Sequence, residues 1–195
     1  MKVFRLALWS VIFVLGAYLA FHTVTNTLQQ GDNIAAVGGP FEGVFTDGTP
    51  ANEDKLRGRP YAIFFGFTHC PDVCPTTLYE ASQWYAALGD DGDKVDIYFA
   101  TVDPARDTQE VLAAYVSAFD DRLNGITGTP EQMAEMMRVY RVFAQRVDEE
   151  DGDYTMNHTA TTFLMNADNT LQSTIAYGES AETAITKMKR LANSS

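Results

Sequence analysis

Cysteine is nearly absent: the 195 residues hold two, Cys70 and Cys74. Any cysteine-based metal or redox chemistry must therefore happen at one place. A disulfide between them would close a tiny loop and add little stability by chain entropy, so a purely structural staple is a weak explanation. Histidine is scarce too, with three residues. A structural zinc site, which prefers four protein ligands, is short of donors unless His69 turns inward. Basic residues are few: 14 Lys and Arg face 26 Asp and Glu, a net charge of −12. Such a surface repels nucleic acid and suits a basic partner, or serves solubility alone. Internal repeats and low-complexity tracts are missing, and 46% hydrophobic content is enough for a real core.

One long uncharged run is present, Leu6 to Phe21, extending to Val24. These 19 residues make roughly 28 Å of helix at about 1.5 Å each, enough to cross a thin or average bilayer. Lys2 and Arg5 precede the run and no acidic residue occurs before Asp32. The positive-inside rule then puts the N-terminus in the cytoplasm and the rest across the membrane. A cleaved signal peptide is the rival, but Ala17-Tyr18-Leu19-Ala20 fits a cleavage site poorly. The expected organisation is an anchor over 1–25, a polar glycine-bearing linker over 26–40, and one domain over 41–195. That exported part carries all 26 acidic residues and 12 of the 14 basic ones, a balance of −14.

Within the domain, strands alternate with helices. Tyr61–Phe67 and Val95–Val102 are apolar enough for buried central strands. Phe41–Phe45 is a short strand, and Thr161–Met165 and Leu171–Ile175 flank a turn as a hairpin. Pro75 suits the first position of a helix whose inner face is Leu78, Ala81, Tyr85 and Leu88. Asp107-Thr108-Gln109-Glu110 resembles a capping box, followed by a stripe of Val111, Tyr115 and Ala118. Thr129-Pro130-Glu131-Gln132 repeats the signal. Met133, Met136, Met137 and Tyr140 follow it as a core stripe rather than a set of soft metal donors. Ala181–Leu191 is a terminal helix, and Asp148–Asp153 an acidic turn. This order indicates an α/β domain.

The two thiols lie in Phe64-Phe65-Gly66-Phe67-Thr68-His69-Cys70-Pro71-Asp72-Val73-Cys74-Pro75, where an apolar strand runs into a helix. A helix N-terminus favours thiolate, the form that both binds metal and attacks disulfides. The spacing is C-x-x-x-C, one residue longer than a thioredoxin motif. His22 is expected to be interfacial. His69 should point away from Cys70, because neighbours on extended chain alternate. His158 precedes the Thr161–Met165 strand, where a histidine is usually a surface or satisfied polar residue. Two thiolates and one imidazole would make a soft three-donor set suited to copper in either oxidation state. The pattern alone leaves metal binding and thiol redox chemistry both open.

The segment Phe65 to Pro75 resembles the signature of the Sco/SenC family, copper-binding assembly factors of cytochrome c oxidase. Thr101-Val102-Asp103-Pro104-Ala105-Arg106-Asp107-Thr108 resembles its second block, and His158-Thr159-Ala160 with Thr161–Met165 the block carrying a distal histidine. The resemblance spans most of residues 38 to 192. It implies a thioredoxin-like fold behind an N-terminal transmembrane anchor helix. It implies copper ligation, Cu(I) and Cu(II), by Cys70, Cys74 and His158. It also implies a partner, oxidase subunit II, whose dinuclear copper site the protein would supply with metal or whose cysteines it would reduce. Another copper chaperone or a thiol reductant would be further partners, and the location a bacterial inner membrane with the domain in the periplasm. Two departures stand out. Asn157 replaces a frequent acidic residue before the histidine, and Asn166-Ala167-Asp168-Asn169 replaces the usual Asp-Pro-x-Gly turn. Ala160 also stands where thioredoxins have a proline used to hold substrates.

Three functions compete. The first is a copper chaperone, not an enzyme in the strict sense. The second is an anchored thiol–disulfide oxidoreductase using Cys70 and Cys74. The third is a peroxidase, disfavoured because peroxidase cysteines need no distant histidine. His158 and the C-x-x-x-C spacing favour the first.

Overall fold

A run of six apolar or small residues with no charged neighbour can only be the middle of a sheet, and Tyr61–Gly66 (β3) is buried at all six positions. The computed structural model describes Leu15, Gly16, Tyr18, 37–150 and 152–194. The described part of the first unit, Met1–Ala36, is the helical residues Leu15, Gly16 and Tyr18. Apart from those three residues, the anchor expected over 1–25, with His22, and most of the 26–40 linker lie outside the described residues. Among those described, no helix is long and apolar enough to cross a membrane.

From Val37 onward the chain forms one unit. Its strands are β1 (Glu42–Phe45), β2 (Pro50–Asn52), β3, β4 (Asp96–Thr101), β5 (Leu123–Thr127), β6 (Ala144–Asp148), β7 (Tyr154–His158), β8 (Thr161–Met165) and β9 (Leu171–Ala176). Its helices are α1 (Glu53–Leu56), α2 (Val73–Leu88), α3 (Gln109–Ser117), α4 (Pro130–Val139) and α5 (Ala181–Ala192). Seven strands form one sheet in the order β2-β1-β5-β4-β3-β8-β9. β3, β4 and β5 run parallel, with Tyr61 opposite Asp96 and Gly66 opposite Thr101. The β8–β9 hairpin closes one side antiparallel to β3, and β1 pairs antiparallel with β5 on the other. β6 and β7 stand apart as a two-stranded hairpin. This is the α/β architecture expected.

The core sits where β3 and its neighbours meet the helices. Phe65 packs on Tyr140 and Phe163 at ring separations of 5.3 and 6.2 Å. Met133 and Met136 are fully buried, as the stripe predicts. Thr129 caps α4 in a complete capping box with Gln132. Asn169 takes a left-handed φ of 66°, doing in the β8–β9 turn what glycine would do.

Three local expectations are corrected. Helix α2 starts at Val73, two residues before Pro75, so Cys74 lies inside its first turn. Proline is tolerated there because the first four N–H groups of a helix have no intrahelical partner. The cap of α3 is Thr108, which accepts from the Val111 N–H, while Asp107 is buried. The inner face of α3 is accordingly Leu112 and Val116, with Tyr115 half-buried and Val111 and Ala118 exposed.

Candidate metal centre

Parallel strands deliver their C-terminal ends to one edge of a sheet, where loops can converge on a ligand. Here β3 ends at Gly66 and the chain turns through Thr68–Asp72 into α2. The turn is pinned from beneath. Asp107 is buried, and its carboxylate accepts the Thr68 N–H at 3.1 Å, the Thr68 hydroxyl at 2.6 Å and the Thr101 hydroxyl at 2.6 Å. Burial pushes the Asp107 carboxyl upward and these bonds pull it back only in part.

Cys74 is buried and Cys70 half-buried, and both are free thiols. The Cys74 N–H donates to the Cys70 sulfur at 3.4 Å. Glycine at 66 makes room for this: a Cβ there would lie 2.6 Å from the Cys74 sulfur and 2.8 Å from the Phe99 ring. A hydrogen bond from the Cys74 thiol holds Cys70 down to about 5, against the opposing effect of burial. The same bond, with burial, pushes Cys74 upward. The two groups thus share one proton, Cys70 as thiolate and Cys74 as thiol.

His158 closes the site from the end of β7. Its Nε2 lies 3.6 Å from the Cys74 sulfur. Its Nδ1 is 3.1 Å from the Thr159 carbonyl, an acceptor only, so Nδ1 donates there and Nε2 is the ring nitrogen turned toward the sulfurs. Phe64 and Phe67 meet the imidazole edge-on at 6.0 and 5.8 Å, fixing its plane. The donor atoms of Cys70, Cys74 and His158 all lie within 4.8 Å of one another. Metal–nitrogen and metal–sulfur bonds of about 2.0–2.3 Å can bridge such a group with little movement.

His69 is exposed and bonded to the Thr68 hydroxyl, outside this group. Asn157 is exposed on the other face of β7 from His158, so its departure leaves the Nδ1 contact untouched. Sequence reasoning missed Gly66, whose position inside an apolar strand was the available signal. It also missed the inward turn of Asp107, for which no local signal exists.

The family model described as SCO1/SenC matches residues 29–193. A mitochondrial SCO1 homologue of Arabidopsis thaliana is 38% identical over 172 residues, covering 80% of this chain and 52% of that protein. An SCO2-like protein of Rickettsia prowazekii is 40% identical over 134 residues, covering 67% of this chain and 64% of that protein. The chain thus spans between half and two thirds of these relatives. The copper-bound structure of Bradyrhizobium japonicum ScoI is 44% identical with a TM-score of 0.74, covering 80% of this chain and 99% of that one.

Proposed function

The chain belongs to the SCO1/SenC family, and on that premise we propose that it binds one copper ion through Cys70, Cys74 and His158. It would carry that copper to the dinuclear site of cytochrome c oxidase subunit II. The observation that carries this reading is the convergence of two sulfurs and one imidazole nitrogen within 4.8 Å. That set is soft enough for Cu(I) and has the extra nitrogen that Cu(II) wants. The copper bound in the solved ScoI relative supports it. Residues 1–25 would anchor the protein in the bacterial inner membrane, 26–40 would act as a tether, and 41–195 would present the site in the periplasm.

A second reading rests on the shared proton of the cysteines. The Cys70 thiolate would attack a disulfide of the subunit II copper site, forming a mixed disulfide and releasing one thiolate of that pair. Cys74 would then displace the second, leaving a Cys70–Cys74 disulfide and a reduced dithiol ready for copper. Two electrons and the one shared proton pass to the acceptor, leaving it as one thiol and one thiolate. Both roles fit one molecule, because the ligand pair must be reduced before it binds metal.

Metal analysis of the reduced protein beyond residue 30, purified with and without copper, tests the first reading. It should hold one copper per chain, with a thiolate charge-transfer colour in the Cu(II) form. His158→Ala should lose Cu(II) far more than Cu(I), since two thiolates can hold Cu(I) linearly. A colourless protein with little copper after verified reduction defeats the copper reading.

A further inference from the structure

The hairpin that carries His158 belongs to no larger sheet, and Gln145–Asp148 of its outer strand are exposed. Its base is closed by its own bonds: Thr159 N–H to the Phe143 carbonyl, and Phe143 N–H to the Thr159 hydroxyl, both at 3.0 Å. Neither bond reaches the seven-stranded sheet. Its far end is held by Arg106, which comes from the loop between β4 and α3. The guanidinium donates from Nη1 to the Tyr154 carbonyl at 2.9 Å and to Asp153 at 3.2 Å. It lies 3.6 Å from the centre of the Tyr154 ring and 5.8 Å from that of Phe67, whose edge meets His158. Arg146 lies 3.7 Å from the same Tyr154 ring, so the two cations must cover opposite faces.

Asp103 completes the clamp from within the fold. It is buried, accepts Arg106 Nε at 2.5 Å and accepts the Tyr154 hydroxyl at 3.0 Å. One loop therefore fixes both halves of the centre. Asp107 holds the turn that bears Cys70, and Arg106, one residue earlier, holds the strand that bears His158.

We propose that Arg106, seated on Asp103 and stacked on Tyr154, is a positioning residue for His158. Retention of Cu(II), which needs the imidazole, depends on it, whereas retention of Cu(I) by the two cysteines does not. The copper half of this statement rests on the copper reading above.

The test uses the full-length, detergent-purified protein with the variants Arg106→Met, Arg106→Lys and Tyr154→Leu. Competition titrations give Cu(I) and Cu(II) affinity, and electron paramagnetic resonance reads the nitrogen hyperfine coupling from the imidazole. Hydrogen exchange over residues 154–158 of the copper-free protein gives a reading independent of metal. Arg106→Met and Tyr154→Leu should weaken Cu(II) about 10–100-fold, the usual effect of losing a group that orients a metal ligand. They should lose the nitrogen coupling, speed exchange at 154–158 and leave Cu(I) affinity unchanged. Arg106→Lys keeps the charge beside Asp103 without the planar fork or stack, so it should recover only part of the Cu(II) affinity. Equal losses of Cu(I) and Cu(II), or unchanged exchange at 154–158, overturn the proposal. If the unaltered protein takes up no copper, the copper reading fails. Exchange then decides the positioning claim alone, upheld by acceleration confined to 154–158 and refuted without it.

Discussion

At Cys70 a single sulfur accepts hydrogen bonds from the Cys74 thiol and from the backbone N–H groups of Asp72 and Cys74, and its pKa falls from 9.0 to about 5. Cys74 moves the other way, chiefly because it donates that bond and secondarily because it is buried. The two shifts act on stability with opposite signs. A lowered pKa stabilises the folded chain above the ordinary thiol value, and the gain is lost as pH falls toward about 5. A raised pKa stabilises it below the ordinary value, and that gain is lost as pH rises further. The reduced domain should therefore gain stability from Cys70 between about pH 5 and 9, with the Cys74 effect setting in only above that window. Reactivity should follow. At about pH 6, iodoacetamide should modify Cys70 and spare Cys74, because thiolate is the nucleophile and Cys74 is buried. In Cys74→Ala, the Cys70 midpoint should rise toward the ordinary value. Peptide mass spectrometry across pH decides this, and equal labelling of the two cysteines would contradict the shared proton.

The elements that bear ligands differ in how they are held. Helix α2 is locked by packing: Leu78, Ala81, Trp84 and Tyr85 are all buried, and α2 packs on α5. The turn before it has no such packing and depends on Asp107. Asp107→Ala would leave the Thr68 N–H and two hydroxyls without their buried acceptor. The expected cost is about 1–3 kcal/mol, with weaker copper binding because the Cys70 turn is released. Urea denaturation beside copper titration measures both. A variant as stable as the parent, with unchanged copper affinity, would show that the turn holds itself. The β6–β7 hairpin has no strand ladder to the seven-stranded sheet; Arg106, the Tyr154–Asp103 hydrogen bond and the packing of Ala144, Met156 and His158 hold it there.

Over the whole molecule, the chain beyond residue 25 carries a balance of −14. Part of that charge is gathered in the Asp148–Asp153 turn, at the tip of the hairpin whose other end is His158. A basic face on an acceptor would be steered toward the site by it. Copper transfer to an isolated subunit II domain, followed by stopped flow, should slow as ionic strength rises, because screening shortens to about 8 Å at physiological salt. A rate indifferent to salt would leave the acidity with solubility as its only role.

What the sequence determined by itself was local and periodic. The apolar run of β3, the inner face of α2, the capping box of α4 and the methionine stripe follow from which neighbours along the chain share a face. Those patterns were legible because burial repeats with the period of the element. The C-x-x-x-C pair was legible as a chemical site because a strand running into a helix puts thiols at a helix N-terminus. The β6–β7 hairpin was not legible: its residues are mostly polar and none is fully buried, so no alternation marks it. Nor was the meeting of His158 with Cys74, 84 residues away. That distance is closed by the β3–β8 pairing and by the clamp of Arg106 on Tyr154, and only the resemblance to a family singled His158 out beforehand. Gly66 and Asp107 carry the same lesson. Each owes its role to atoms brought against it by other strands, and those neighbours exist only once the sheet has formed.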